Sequence, residues 1–279
     1  MRVALATCAA LPDLDEDDRL LLPALAALGV AAEPAVWTDP AVDWDAFDLV
    51  VVRSTWDYQH DRDAFVAWAR ARTRIANPAP VLAWNTDKRY LAELEVPTVP
   101  TAFVAPGDPF APPGPAELVV KPTVSAGSRD TARHADLDAA RAHVAELHAA
   151  GRTAMVQPYL DAVDTAGETA LLYLGGAYSH AIRKGPLLRP GSPPVEGLFA
   201  AEEIAPREPS AQERALGDRV VAAVLDRWGE PLYARVDLLP GPDGAPVVIE
   251  VELTEPSLFL AHAPGAPQRL ARAIADRRS

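Results

Sequence analysis

Cysteine is almost missing from this chain: Cys8 is the only one in 279 residues. No intramolecular disulfide can form, and a cysteine-rich zinc site is excluded. A single cysteine directly after a strand-like run is expected to be a small buried hydrophobe. Positive charge is scarce as well. Lys and Arg total 26 against 39 Asp and Glu, giving a formal charge of -13 and a pI near 4.9. That balance opposes non-specific binding to nucleic acid or anionic membrane. Apolar runs long enough to span a bilayer are also lacking, and the N-terminus has no charged-then-apolar signal layout. A cytoplasmic protein without nucleic-acid or membrane partners is therefore expected.

What is present is ordinary globular content. Hydrophobic residues make up 49% of the chain, which excludes wholesale disorder. The length exceeds a usual single core, so two or more substructures are expected. In an acidic protein, an anionic ligand must be held by a few local cations and a metal. Isolated Lys and Arg residues in apolar strands become the informative ones.

Strand and helix alternate over roughly the first eighty residues. Residues 2–6 read as a strand, 19–28 as a helix closed by Gly29, with Pro23 forcing a late start or a kink. Leu49–Val52 reads as a buried parallel strand ending at Arg53, Ser54, Thr55, Trp56, Asp57 and Tyr58, and 61–73 as a helix. Ligands of such α/β units bind beyond the carboxyl ends of the strands. Those six residues combine a cation, hydroxyls, an acid and aromatics, which suits a small polar zwitterion. The alternative is a polar loop whose tryptophan packs on the next helix.

Asn85 is expected to cap a helix that buries Tyr90, Leu91 and Leu94, with Lys88 in its first turn. A helix dipole disfavours a cation there, so a bound anion would account for it. Residues 96–115 form a proline-dense connector. A strand over 118–121 leads into a loop of small and hydroxylated residues containing Ser125, Gly127 and Ser128. A helix follows over 137–150, with His143 and His148 expected at the surface because their spacing does not share a face. A strand over 155–159 precedes a hairpin of 168–174 and 177–183. Residues 185–197 are long and irregular, a composition that is usually functional or disordered. Ser210 and Glu213 form a capping-box pattern before an apolar stripe of Leu216, Val220, Val224 and Trp228, ended by Gly229.

The last hairpin carries the densest chemistry. Arg235 and Asp237 lie on one strand, a turn at Gly241 and Gly244 reverses the chain, and Glu250 and Glu252 lie on the return strand. Alternation puts each pair on one face of its strand. Symmetric pairing about the turn sets Asp237 opposite Val248, one diagonal step from Glu250; a one-residue bulge would alter that. Grouped acids repel one another unless a cation lies between them, and hard oxygen ligands suit magnesium. A solvated polar face is the alternative.

The order of these features, a lysine, a second lysine with a small-residue loop, a hinge and a terminal Arg-x-Asp…Glu-x-Glu hairpin, resembles the ATP-grasp superfamily. RimK-type and glutathione-synthetase-like ligases are the similar members, and the resemblance runs from about Asn85 to the C-terminus. It implies an α/β protein, α+β in its C-terminal part: an ATP-grasp fold preceded by a small parallel-sheet domain. The expected units are 1–84 on the substrate side, 85–155 as a lid subdomain and 156–279 carrying the metal site.

In the roles so implied, Lys88 and Lys121 reach the phosphates of ATP, and Ser125, Gly127 and Ser128 fold over them. Gln157, Tyr159 and Leu160 read the adenine edge, and Asp164 or Glu168 binds ribose. Arg183, with Lys184 beside it on the substrate side, faces the acyl phosphate, and Arg235 is a companion contact. Asp237, Glu250 and Glu252 hold Mg2+. Two departures stand out: the family usually has Glu-x-Asn where Glu250 and Glu252 stand, and the arginine that often follows the central acid is missing after Glu168. Family chemistry would phosphorylate a small amino-acid-like carboxylate with ATP, and an amine would displace phosphate. Catalysis would be positioning and charge neutralisation.

Among subgroups the chain resembles the short actinobacterial enzymes of antibiotic pathways, nearest the O-ureidoserine cyclo-ligases of cycloserine biosynthesis. There nucleophile and carboxylate belong to one molecule. An intermolecular amino-acid or dipeptide ligase is the rival enzyme. A non-catalytic ATP-binding regulatory protein is the rival of another class, disfavoured because unpaired charges in apolar strands are costly. Oligomeric state, a homodimer included, stays open.

Overall fold

The structure, a computed structural model, describes residues 1–114, 117–188 and 203–277. Most of the irregular segment expected over 185–197 lies outside the described residues.

The N-terminal sheet has four parallel strands: β1 (Arg2–Thr7), β2 (Ala31–Val36), β3 (Leu49–Val52) and β4 (Ile75–Ala76), in the order β2-β1-β3-β4. All four residues of β3 are buried, as a parallel strand covered on both faces requires. The helix expected over 19–28 is instead two short pieces, α1 (Glu16–Arg19) and α2 (Leu21–Ala26). Pro23 has no N–H to donate, so it is tolerated only where the first turn of α2 needs none. Next, α3 (Arg62–Arg70) is capped by the Asp61 carboxylate and buries Phe65, Val66 and Ala69. Cys8 is fully buried, as expected.

Asn85 does not begin a helix. It is the last residue of α4 (Ala79–Asn85), and a separate 3-10 turn, Lys88–Glu93, is capped by Asp87. Pro80 at the start of α4 favours helix from that point, a signal that precedes the one first read at Asn85.

The central sheet is antiparallel: β5 (Ala102–Val104), β6 (Leu118–Pro122), β7 (Ala132–His134) and β8 (Ala154–Pro158), in the order β5-β8-β6-β7. Covering one face is α5 (Leu137–Ala149), which turns Ala140, His143, Val144 and Leu147 inward. His143 is therefore buried rather than at the surface, its Nδ1 3.0 Å from His134 Nε2. His148 is half-buried, with Nε2 2.9 Å from the Val104 carbonyl.

After the short α6 (Val163–Ala166), the third sheet comprises β9 (Glu168–Leu174), β10 (Ala177–Lys184), β11 (Ile204–Pro206), β12 (Tyr233–Pro240) and β13 (Pro246–Glu252). Its order is β11-β10-β9-β12-β13. One face packs on α7 (Ala211–Trp228), where both halves of the Ser210–Glu213 capping box form. The other packs with α8 (Ala266–Ala275) and α2 in a core that includes Leu5, Leu25, Leu172 and Leu270.

β13 is an edge strand, and its free backbone groups are taken by side chains and one short bridge. Asn85 donates to the Val251 carbonyl at 2.7 Å and accepts from Leu253 N–H at 2.7 Å. The Tyr90 hydroxyl both donates to Val251 O and accepts from Val251 N–H. Val248 pairs with Pro97 and Val99 through the backbone. Capping an edge in this way keeps it from recruiting another strand and fixes the position of Glu250.

Candidate active site

The central and third sheets, with loops of the N-terminal unit, line a cavity of about 1110 Å³. The β12–β13 hairpin forms its floor. Asp237 pairs directly with Glu250, while Leu238 pairs with Val248, so a bulge at Ile249 replaces the symmetric register expected from the turn. The extra residue re-aims the strand and brings the acids of both strands side by side.

Cations interleave these acids. Lys88 Nζ lies 3.1 Å from one Glu250 oxygen and Lys121 Nζ 3.6 Å from the other. Lys184 donates to Asp237 at 2.7 Å and pairs with Glu168. Arg235 grips Asp237 through Nε at 2.9 Å and also meets Glu252. Burial raises the Asp237 carboxyl, but Arg235 and Lys184 outweigh it and hold the group well below the ordinary carboxylate range. Glu250 is likewise lowered on balance, because Lys88 and Lys121 exceed the cost of its burial. Glu252 goes the other way: burial and the acids Glu250 and Asp237 exceed the pull of Arg235, pushing it up to about 7. Burial lowers Lys121 despite Glu250, with Lys88 adding repulsion.

Ser125, Gly127 and Ser128 line the same cavity. Gly127 and Ser128 both take left-handed backbone, φ 62° and 60°, which turns this loop over the lysines. Lys88 Nζ donates to the Ser125 carbonyl at 2.8 Å, and Ala126 N–H donates to Gln59 from the N-terminal unit. Gln157, Tyr159 and Leu160 line the wall at the end of β8. Of the two candidate ribose acids, Glu168 lines the cavity. Asp164 does not; it accepts from the Tyr159 hydroxyl at 2.6 Å and pairs with Arg133.

Alternation along β10 separates Arg183 from Lys184. Lys184 turns into the cavity, whereas Arg183 is outside the lining and donates to the Ala166 carbonyl at 3.0 Å. Gly167 lets it pass: a Cβ there would sit 2.7 Å from Arg183 Nε.

The expected substrate stretch divides too. Trp56 and Tyr58 line the cavity; Arg53, Ser54, Thr55 and Asp57 do not. Arg53 is 1% exposed, paired with Asp18 at 2.8 Å and donating to the Pro256 carbonyl at 2.7 Å. Ser54 donates to the other Asp18 oxygen, and Asp57 accepts from Trp37 Nε1. These are structural bonds rather than cavity contacts, within the N-terminal unit except for the bond from Arg53 to Pro256.

Sequence reasoning missed Glu255. It lines the cavity, is 8% exposed, and is pushed up to about 8 by burial and by neighbouring Glu252, against the pull of Lys88. An acid within the apolar stretch from Leu253 to Leu260 was the available signal.

Among the described residues no three His, Cys, Asp or Glu side chains are grouped to hold a metal on their own. The expected oxygens of Asp237, Glu250 and Glu252 instead face Lys and Arg. Magnesium commonly takes one or two carboxylates and completes its shell with substrate phosphates and water. This donor set fits an ion carried in with a nucleotide, with Asp237, Glu250 and Glu252 as the residues to hold it.

Comparison with known proteins shows where such a site belongs. The "Cycloserine biosynthesis protein DcsG" of Streptomyces lavendulae is 38% identical over 99% of this chain and 98% of its own length. The chain belongs to the DcsG family of ATP-grasp ligases. The family model described as "D-cycloserine synthetase DcsG, N-terminal domain" matches residues 3–77. The crystal structure of D-cycloserine synthetase DcsG superposes with a TM-score of 0.89 at 38% identity, covering 99% of both chains. Two more distant structures share the ATP-grasp fold. A RimK domain protein from Sphaerobacter thermophilus has a TM-score of 0.68 at 20% identity, covering 99% of this chain and 100% of its own. D-alanine–D-alanine ligase from Bacillus anthracis, complexed with ATP, has 0.67 at 13%, covering 99% and 96%. As a DcsG-family member the chain is an enzyme, an ATP-dependent carboxylate–amine ligase of antibiotic biosynthesis. No helix among the described residues is long and apolar enough to cross a membrane.

Proposed function

We propose that this protein closes O-ureidoserine to a cycloserine ring: in the presence of Mg2+, ATP activates the carboxylate as an acyl phosphate, the nitrogen bonded to oxygen displaces phosphate, and water removes the carbamoyl group as CO2 and ammonia. The observation that carries the reading is the interleaving of Lys88, Lys121, Lys184 and Arg235 with Glu250, Asp237 and Glu252 in one cavity. Phosphoryl transfer needs little covalent help from side chains, and such a field neutralises charge as it moves from ATP to the acyl oxygen.

Lys88 and Lys121 bind the nucleotide phosphates beneath the Ser125–Gly127–Ser128 loop. Gln157, Tyr159 and Leu160 take the base, and Glu168, the acid that faces the cavity, takes the ribose. Asp237 and Glu250, with Glu252 beside them, would hold magnesium, which would screen the phosphate charge. Lys184 and Arg235 face the acyl phosphate in place of Arg183. Trp56 and Tyr58 form the substrate wall. The substrate unit spans about residues 1–84, the lid extends through β8, and the remainder carries the metal site. The enzyme works in the cytoplasm, where ATP is supplied.

The test is ADP formation from ATP with O-ureido-L-serine or O-ureido-D-serine as substrate, with product mass read alongside. One-substrate turnover giving a ring product is expected. Turnover that requires an added amine would replace this reading with a dipeptide ligase.

A further inference from the structure

Four acids that line the cavity are each paired with a cation. Glu250 meets Lys88 and Lys121, Asp237 meets Lys184 and Arg235, Glu252 meets Arg235, and Glu168 meets Lys184. The Glu255 carboxylate has no hydrogen bond and no ion pair among the described residues, though it is 8% exposed and lines the cavity. A buried carboxyl group left without a hydrogen-bond partner once water is expelled is costly.

Its position tells which donor it awaits. The backbone of this segment is pinned to the N-terminal unit: Trp56 Nε1 donates to the Glu255 carbonyl at 2.9 Å and Arg53 to the Pro256 carbonyl at 2.7 Å. Glu255 is thereby fixed on the side of Trp56 and Tyr58. On this side of the cavity the N–H donors belong to the substrate: its α-ammonium, present in activation and attack alike, and the nucleophilic nitrogen, needed only for attack.

Resting on the function proposed above, we infer that Glu255 receives the nucleophilic nitrogen of the substrate and aims it at the activated carbonyl. Its carboxylate accepts a hydrogen bond from that N–H, so Glu255 governs the attack and not the phosphorylation that precedes it. Orientation of this kind is worth about 10²-fold when a reacting atom is displaced by roughly 1 Å.

The experiment separates the two half-reactions. O-propylserine has the carboxylate and α-amine but lacks the ureido nitrogen that closes the ring, so with ATP and hydroxylamine it yields a hydroxamate that reports activation alone. Conversion of O-ureidoserine reports both steps. For Glu255→Gln, ring formation is expected to fall at least about 10²-fold, while hydroxamate formation, the ATP KM and the Mg2+ requirement stay within about threefold of wild type. Equal loss of both reactions would overturn the inference, leaving Glu255 a structural residue. A changed Mg2+ requirement or ATP KM would also overturn it and assign Glu255 to the metal. Wild-type protein that forms neither product would instead remove the function on which the inference rests. If Glu255→Gln does not fold, Glu255→Asp, with its charge set back by one methylene, must show the same split.

Discussion

Arg53 and Pro256 are 203 positions apart in the chain, and the Arg53 guanidinium donates to the Pro256 carbonyl at 2.7 Å while holding Asp18 at 2.8 Å. An arginine at the end of a parallel strand is thus a strut beneath the segment that carries Glu255. Removing it leaves Asp18 buried and charged without its partner. Arg53→Ala is expected to destabilise the protein by about 3–5 kcal/mol, the range for breaking a buried pair from one side. Urea unfolding measures it. A loss below about 1 kcal/mol would show that the pair does not support the fold.

Lys184 and Arg183 are neighbours with opposite surroundings, one facing Asp237 in the cavity and the other bound to a loop carbonyl. Lys184→Met is expected to lower kcat by at least about 10²-fold, as losing one preorganised donor at a developing charge does. Arg183→Ala should change kcat by less than about fivefold. A reversed ranking in steady-state ADP release would restore Arg183 as the contact.

Asp237→Asn keeps the shape of the side chain and removes the charge that Lys184 and Arg235 surround. ADP formation is expected to drop by at least about 10³-fold, combining lost metal binding with misplaced cations. Near-normal turnover across a magnesium titration would exclude Asp237 from the metal site.

Stability should depend on pH with a definite sign. Glu252 and Glu255 are pushed up to about 7 and about 8 from 4.5. The folded protein therefore holds protons that the unfolded chain releases. The stability this contributes is complete below about pH 4.5 and lost as pH rises through 7 to 8. Asp237 acts oppositely: its folded value is depressed, so its contribution is present above its ordinary 3.8 and lost as pH falls below that. The urea midpoint should be higher at pH 5.5 than at pH 8.5, and Glu255→Gln should flatten the difference. An unchanged slope in that variant would show that Glu255 is not the titrating group.

The edge of β13 offers a last test. Asn85→Ala frees the Leu253 N–H and leaves the Val251 carbonyl to the Tyr90 hydroxyl alone. A cost of about 1–3 kcal/mol is expected from the one unsatisfied group. Because Glu250 lies beside Val251, the ATP KM should rise as well. A stability loss with an unchanged ATP KM would show that the strap does not position the site.

Local pattern determined much of this protein. Alternation fixed the face shared by Arg235 and Asp237, the capping box fixed the start of α7, and paired glycines fixed the β9–β10 hairpin, because each depends on neighbours a few positions apart. The lysines and acids of the cavity were legible through their order along the chain and their residence in apolar strands. What lay beyond local pattern was decided by contacts across long separations. The bulge at Ile249 set Asp237 against Glu250, the bonds from Arg53 and Trp56 fixed residues 255 and 256, and β10's orientation chose Lys184 over Arg183. Sequence alone states which charges exist. Whether a buried charge finds a partner or faces a cavity depends on which distant element packs against it, and that only the tertiary structure decides.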